Sequence, residues 1–322
     1  MRILAATVAT SLALSLSPAI AGAEPAPLTG VELNTTAANS VAVDATFDFD
    51  AARSTGLPAL KQLRGEMWDI NPYFNDSHTA GTTRLREVAR QHGLNTKEAY
   101  VNAVSIDNGL TRIAVQRAAE QGAHWGHTRP DGSELWSAKV NGQQTWAESL
   151  AAGTSLERSI LDSWGHGELA ALNNNRGAYA SGAGHLHMMI TPKNKYYGFS
   201  EVFIPGTKFG TYTAASVSDE NGKSSVESKP MDAGKQRTWL YRPAAPGENP
   251  TGIKQGAPGS ANQNNPAPSN QNNPGPVDEK PNNGSDLSAV GNVDINSIIG
   301  IVFGVLSLLG VIAGIAKQLG LI

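Results

Sequence analysis

The chain has 322 residues, enough for one or two domains, and 25 basic against 28 acidic residues leave it a formal charge of −3. That near-neutral balance excludes the basic footprint of a nucleic-acid binder. With no cysteine, there is no disulfide staple, thiol nucleophile or thiolate metal site, so any folded part must be held by its own buried core.

At the N-terminus, Met1-Arg2 precedes an apolar run from Ile3 to Leu16 and then Ser17-Pro18-Ala19-Ile20-Ala21-Gly22-Ala23. A basic start, a short apolar segment and small residues at A-x-A spacing predict a secretory signal over 1–23, cleaved after Ala21 or Ala23. The run is short beside the roughly 20 residues of a membrane span. The body of the chain is therefore expected to be exported.

In the extension 24–78, alternation from Val41 to Phe49 predicts a strand and Leu57 to Trp68 a short helix. No function is assigned to this part. Leu85, Val88 and Ala89 have helical spacing and stop at Gly93, and Asn95 with Glu98 predicts a cap for the next helix. Leu110, Ile113, Ala114, Arg117 and Ala118 mark a stronger helical face that ends at Gly122. Thr154 and Glu157 form a capping box ahead of Leu156, Ile160, Leu161 and Trp164 on one face. Beyond Gly184 the pattern reads as two strands, His185 to Ile190 and Tyr196 to Ile204, around the turn Thr191-Pro192-Lys193-Asn194. Helices followed by strands, without βαβ alternation, predict an α+β layered domain.

From Pro243 to about residue 287, proline, asparagine, glutamine and glycine dominate, with Asn262-Gln263-Asn264-Asn265-Pro266 nearly repeated at Asn270-Gln271-Asn272-Asn273-Pro274. Such a stretch buries too little apolar surface to offset its ordering entropy and reads as a disordered spacer. Within 288–322, Ile298 to Ala316 is apolar and Lys317 follows, the length and polarity of a transmembrane or anchoring segment. The alternative is a cleaved tail, for which Asn283-Gly284-Ser285 has the outline of a lipid-anchor signal. Both readings tether the product to the cell envelope.

Four stretches could carry chemistry. His127 lies in His124-Trp125-Gly126-His127-Thr128, just before Arg129-Pro130-Asp131-Gly132, a turn in which proline presets φ and glycine accepts a positive one. Glu148 sits in the apolar run Trp146 to Leu150, where an unpartnered carboxylate is costly, so it must find a partner or open onto a cleft. Glu168 follows Trp164-Gly165-His166-Gly167. His185 follows Ser181-Gly182-Ala183-Gly184, and on a strand it shares a face with His187. The common enzyme signatures HExxH, GxSxG and the P-loop are absent.

In this order the four stretches resemble the CAP superfamily of cysteine-rich secretory, antigen-five and pathogenesis-related proteins, over roughly Thr82 to Ile204. The resemblance implies an α-β-α sandwich with a central antiparallel sheet at 79–204, followed by a folded extension over 205–242. It further implies a cleft lined by His127, Glu148, Glu168 and His185, with a divalent metal such as zinc held in several relatives and His127 and His185 as its ligands here. The chain departs from the pattern in lacking the disulfides of eukaryotic members, as bacterial-type members do, and at two motif positions. The usual Glu-Asn is Glu148-Ser149, and the offset of Glu168 from Trp164 differs by a residue from some relatives. The expected function is a tethered envelope protein whose cleft binds a lipid or a cell-wall-derived ligand. A metal-assisted hydrolase of peptide or wall material and a purely structural surface protein are the alternatives. No nucleophile, base and orienting group are visible as a set.

Overall fold

A computed structural model describes residues 29–258, apart from 77–78, 181, 219–233 and 255. The signal, the Pro/Asn-rich spacer beyond Pro258 and the apolar tail lie outside these residues. Among the described residues, no helix is long and apolar enough to cross a membrane.

The first strand, β1 (Ser40–Asp48), alternates as the sequence does, with Val43, Ala45 and Phe47 buried. A π-helical turn, Ala52–Gly56, leads into α1 (Leu57–Ile70), which ends where Asn71 takes a left-handed conformation (φ 53°). Then come α2 (Leu85–Gln91), α3 (Lys97–Asn102), the short β2 (Ser105–Ile106) and α4 (Asn108–Glu120). The cap of α3 is Thr96, whose hydroxyl accepts from the Ala99 N–H, one residue later than Asn95. Asp107 caps α4 by accepting from the Leu110 N–H. Strand β3 (Ala147–Ala152) precedes a continuous helical run made of α5 (Leu156–Arg158), the π-helical Ser159–His166 and α6 (Gly167–Asn174). Its cap is Ser155 rather than Thr154. The chain then forms α7 (Gly184–Ile190), β4 (Tyr196–Phe203), β5 (Thr211–Ser218) and β6 (Lys235–Pro243).

His185 to Ile190 is thus helical, not a strand. Leu186, Met189 and Ile190 are fully buried at i, i+3 and i+4, a spacing that one face of a helix satisfies against the core beneath it. His187 and His185 therefore do not share a strand face.

The sheet runs β3-β5-β4-β1-β6 and is antiparallel along that path, with β2 added parallel to β4. Parity along the strands sorts the core into two. Leu150, Val202, Tyr212 and Ala214 pack with α4, β1 and Leu240 of β6, while the neighbouring Ala151, Tyr197, Phe199 and Ala215 pack with α1, α7 and the helical run through Trp164. Helices therefore lie on both faces. Gly198 sets the closeness of one layer: a Cβ there would come within 2.0 Å of the Leu110 carbonyl carbon. That contact brings α4, with Arg117 and Glu120 on it, down onto β4. Strands β1 and β6 pair along nine register positions, whereas β1 meets β4 at only two. Both ends of the described chain thus complete the core beneath α4.

Candidate functional site

His127 lies in the loop leaving α4, locked by the turn in which the Gly132 N–H donates to the Arg129 carbonyl at 2.9 Å. The ring is nearly buried, and its Nδ1 stands 2.9 Å from Glu148 Oε2 on β3. The carboxylate is fully buried and shared. Arg117 Nε donates to Oε1 at 2.7 Å and Nη2 to Oε2 at 3.3 Å. Arg117 Nη1 reaches Glu120 Oε2 at 2.5 Å, and Arg129 Nη2 donates to Glu120 Oε1 at 2.7 Å. Two guanidinium groups and two carboxylates thus form a charge-balanced network with no exposed side-chain surface.

Burial alone would raise the pKa of Glu148, but the charge of Arg117 and the bond to His127 outweigh it and hold the carboxyl below its ordinary value. Glu120 behaves in the same way, its burial outweighed by Arg129 and Arg117. Both stay ionised at neutral pH. As acceptors only, they oblige the atoms facing them to donate.

The second pair is more open. His185, at the start of α7, places Nδ1 2.7 Å from Glu168 Oε1, and Glu168 Oε2 accepts from the Leu186 N–H at 2.9 Å. The His185 side chain is 32% exposed and lies beside the buried Trp164 ring, 6.4 Å between centroids. Gly165 and Gly167 sit where a Cβ would crowd the Ile160 and Asp162 carbonyl oxygens, at 2.6 and 2.8 Å. They fit the π-helical winding of Ser159–His166. A π turn holds more residues than an α turn, and the unusual Trp164-to-Glu168 spacing falls at this stretch.

The structure thus joins the four expected residues in two pairs, His127 with Glu148 and His185 with Glu168. Each ring offers Nδ1 to a carboxylate, and no partner among the described residues takes either Nε2. A carboxylate that takes the far N–H of an imidazole commonly orients metal-binding histidines. The four residues do not form one zinc set: the Glu148 carboxylate is fully buried against the Arg117 guanidinium, whose positive charge opposes a cation there. Among the described residues, no group of three or more His, Cys, Asp or Glu is placed to hold a metal ion. Two imidazole nitrogens remain, which suit a divalent metal only if water or the bound ligand supplies the other donors.

The remaining histidines nearby have other work. His124 Nε2 pairs with the Thr128 hydroxyl, His166 Nε2 with Glu66, and His187 Nε2 with the Asn75 carbonyl while its ring stacks on Phe74. A cavity of about 220 Å³ opens elsewhere, between β1 and the end of α4, lined by residues that include Val43, Ala119, Ile204 and Arg242. Sequence reading passed over Arg117, Glu120 and Arg129 as site components. The available signal was an arginine on the apolar face of α4 with a glutamate three residues on, charges that must pair if that face is buried.

Comparison with protein families matches residues 61–214 to CAP, the cysteine-rich secretory protein family. Comparisons with curated proteins and with solved structures give no match. The match begins inside α1 and ends inside β5, so it covers both His–Glu pairs and leaves β1 and β6 outside. Residues 61–214 are therefore a CAP family domain, built here without cysteine.

Proposed function

We propose that this chain is an exported binding module, tethered to the cell envelope by its apolar segment 298–316, whose two His–Glu pairs bind a lipid or a cell-wall-derived ligand. One observation carries the binding reading: two imidazoles, each fixed through Nδ1 by an engaged carboxylate, keep an Nε2 with no partner among the described residues. Orienting both rings in this way is useful if the outer nitrogens meet something from outside. A divalent metal such as zinc is an optional part of the reading: His127 and His185, which flank the edge strand β3 from its two faces, would hold it only by meeting around that edge, and it would supply a Lewis-acidic contact for an anionic ligand group. Glu148 and Glu168 then orient the rings, while Trp164 supports His185. Export is supported by the N-terminal signal pattern and by the typical secretion of the family.

Calorimetry on the full chain tests binding, with zinc alone, wall-derived muropeptides and lipid vesicles as separate titrants. At least one titrant should bind the native chain and lose affinity in the double variant His127→Ala, His185→Ala. Identical titrations for both proteins would overturn the reading. Turnover of a peptide or wall substrate that depends on the histidines would favour the hydrolase instead. For the tether, deleting 297–322 should release the folded protein to the medium, and a truncated chain that stays cell-associated would contradict it.

A further inference from the structure

Arg117 holds His127 from two directions. Through Nε and Nη2 it fixes the carboxylate that faces Nδ1, and the same Nη2 donates to the backbone carbonyls of Gly126 and of His127 itself, each at 3.0 Å. Its remaining nitrogen, Nη1, is spent on Glu120, and Arg129 pins Glu120 from the far side. Arg129 also donates to the Glu32 carbonyl at 3.0 Å, and the segment around Glu32 is anchored by the fully buried Val31 and Leu33. The guanidinium thus cannot turn without breaking bonds to two carboxylates and to the loop carbonyls of Gly126, His127 and Thr128.

We propose that Arg117 is a positioning residue that fixes His127 in one tautomer, with the proton on Nδ1 and the lone pair on Nε2, so that Nε2 is the nitrogen offered to a ligand. The last clause rests on the binding reading above, whereas the tautomer does not. The chemistry is simple. An ionised carboxylate has no proton to give, so a neutral ring in the opposite tautomer would set its Nδ1 lone pair against Glu148 Oε2 at 2.9 Å. Arg117 keeps the carboxylate from swinging away and the loop backbone from carrying the ring elsewhere. Lysine keeps the charge but not the fork, and one ammonium cannot span Glu148, Glu120 and the loop carbonyls. His185 is the internal control. Its partner Glu168 is braced by a backbone N–H rather than a guanidinium, so a change at Arg117 leaves that ring alone.

Long-range ring ¹H–¹⁵N spectra of the full chain, recorded without ligand at mildly alkaline pH where an ordinary imidazole is neutral, read each tautomer directly. In the native protein His127 should show a protonated Nδ1 and an unprotonated Nε2. In Arg117→Lys the two His127 nitrogens should move toward a common averaged shift while those of His185 stay in place. A proton on Nε2 in the native protein, or an unchanged His127 in a folded Arg117→Lys, would overturn the proposal. If Arg117→Lys does not fold, the native spectrum still decides. Because no ligand is present, failure here leaves the binding reading standing, and absence of binding leaves the tautomer assignment intact.

Discussion

The indole N–H of Trp164 donates to the Leu150 carbonyl at 3.1 Å, two residues beyond Glu148 on the same strand. Strand β3 is an edge of the sheet, and this bond ties the helical run on one face to the strand whose Glu148 points to the other. Glu148 holds His127 and Trp164 stands beside His185, so the strand meets one pair directly and the other through the Trp164 ring.

Replacing Trp164 with phenylalanine keeps most of the packing and removes that bond. The Leu150 carbonyl then loses its donor in a buried setting, which costs about 1–3 kcal/mol. Urea denaturation should show a lower midpoint at unchanged slope, and an unchanged midpoint would mean the bond contributes nothing.

The two pairs should differ in their weight on stability. Glu148→Gln leaves Arg117 with only Glu120 for compensation, so we expect a loss of about 3 kcal/mol, the low end for breaking a buried pair. For a domain of this size that lowers Tm by about 6–12 °C. His185→Ala removes a ring that is about a third exposed and should cost about 1 kcal/mol or less. Thermal melts of the two variants settle the order, and an equal or larger effect at His185 would contradict it.

Acid should unfold the protein through the same network. Glu148 and Glu120 titrate in the folded state below their ordinary value of 4.5. In that interval the unfolded chain binds more protons, so stability rises with pH. The contribution is complete above the ordinary value and is lost as pH falls from there through the lower folded values. Unfolding free energies measured across acidic pH should have a shallower slope in Glu148→Gln than in the native protein. Superimposable slopes would show that Glu148 is not held as described.

The region matched by the family is not expected to fold alone. A fragment of residues 61–214 cuts α1 and β5 and removes β1 and β6, whose Val43, Ala45, Phe47 and Leu240 complete the core beneath α4. It should bind a hydrophobic dye and unfold without a sharp transition, whereas 29–258 should unfold cooperatively. A cooperative transition for the short fragment would show the added strands to be dispensable.

Much of this is legible in the sequence because it is local. The alternation of Val41 to Phe49, the helical face of α4 and the turn at Arg129-Pro130-Asp131-Gly132 all report short-range geometry. The helix Gly184–Ile190 reads as a strand because a run of seven residues offers too few positions to separate the two periodicities, and packing against Tyr197 and the Trp164 helix decides it. The four site residues stand out by motif, but their pairing does not. Arg117 and Glu148 are 31 positions apart and meet only once α4 has settled on the sheet, and no periodicity encodes that contact. Nor does any local pattern foretell the π-helical winding ahead of Glu168.

On the binding reading proposed above, His127 and His185 serve one ligand. Ring ¹³C and ¹⁵N resonances of both histidines, followed while the full chain is titrated with zinc alone as the probe, test it most directly. Nε2 of both rings should shift with a single shared midpoint while His187, engaged with Asn75 and Phe74, stays still. Rings that respond with separate midpoints, or do not respond while zinc binds elsewhere, would contradict it.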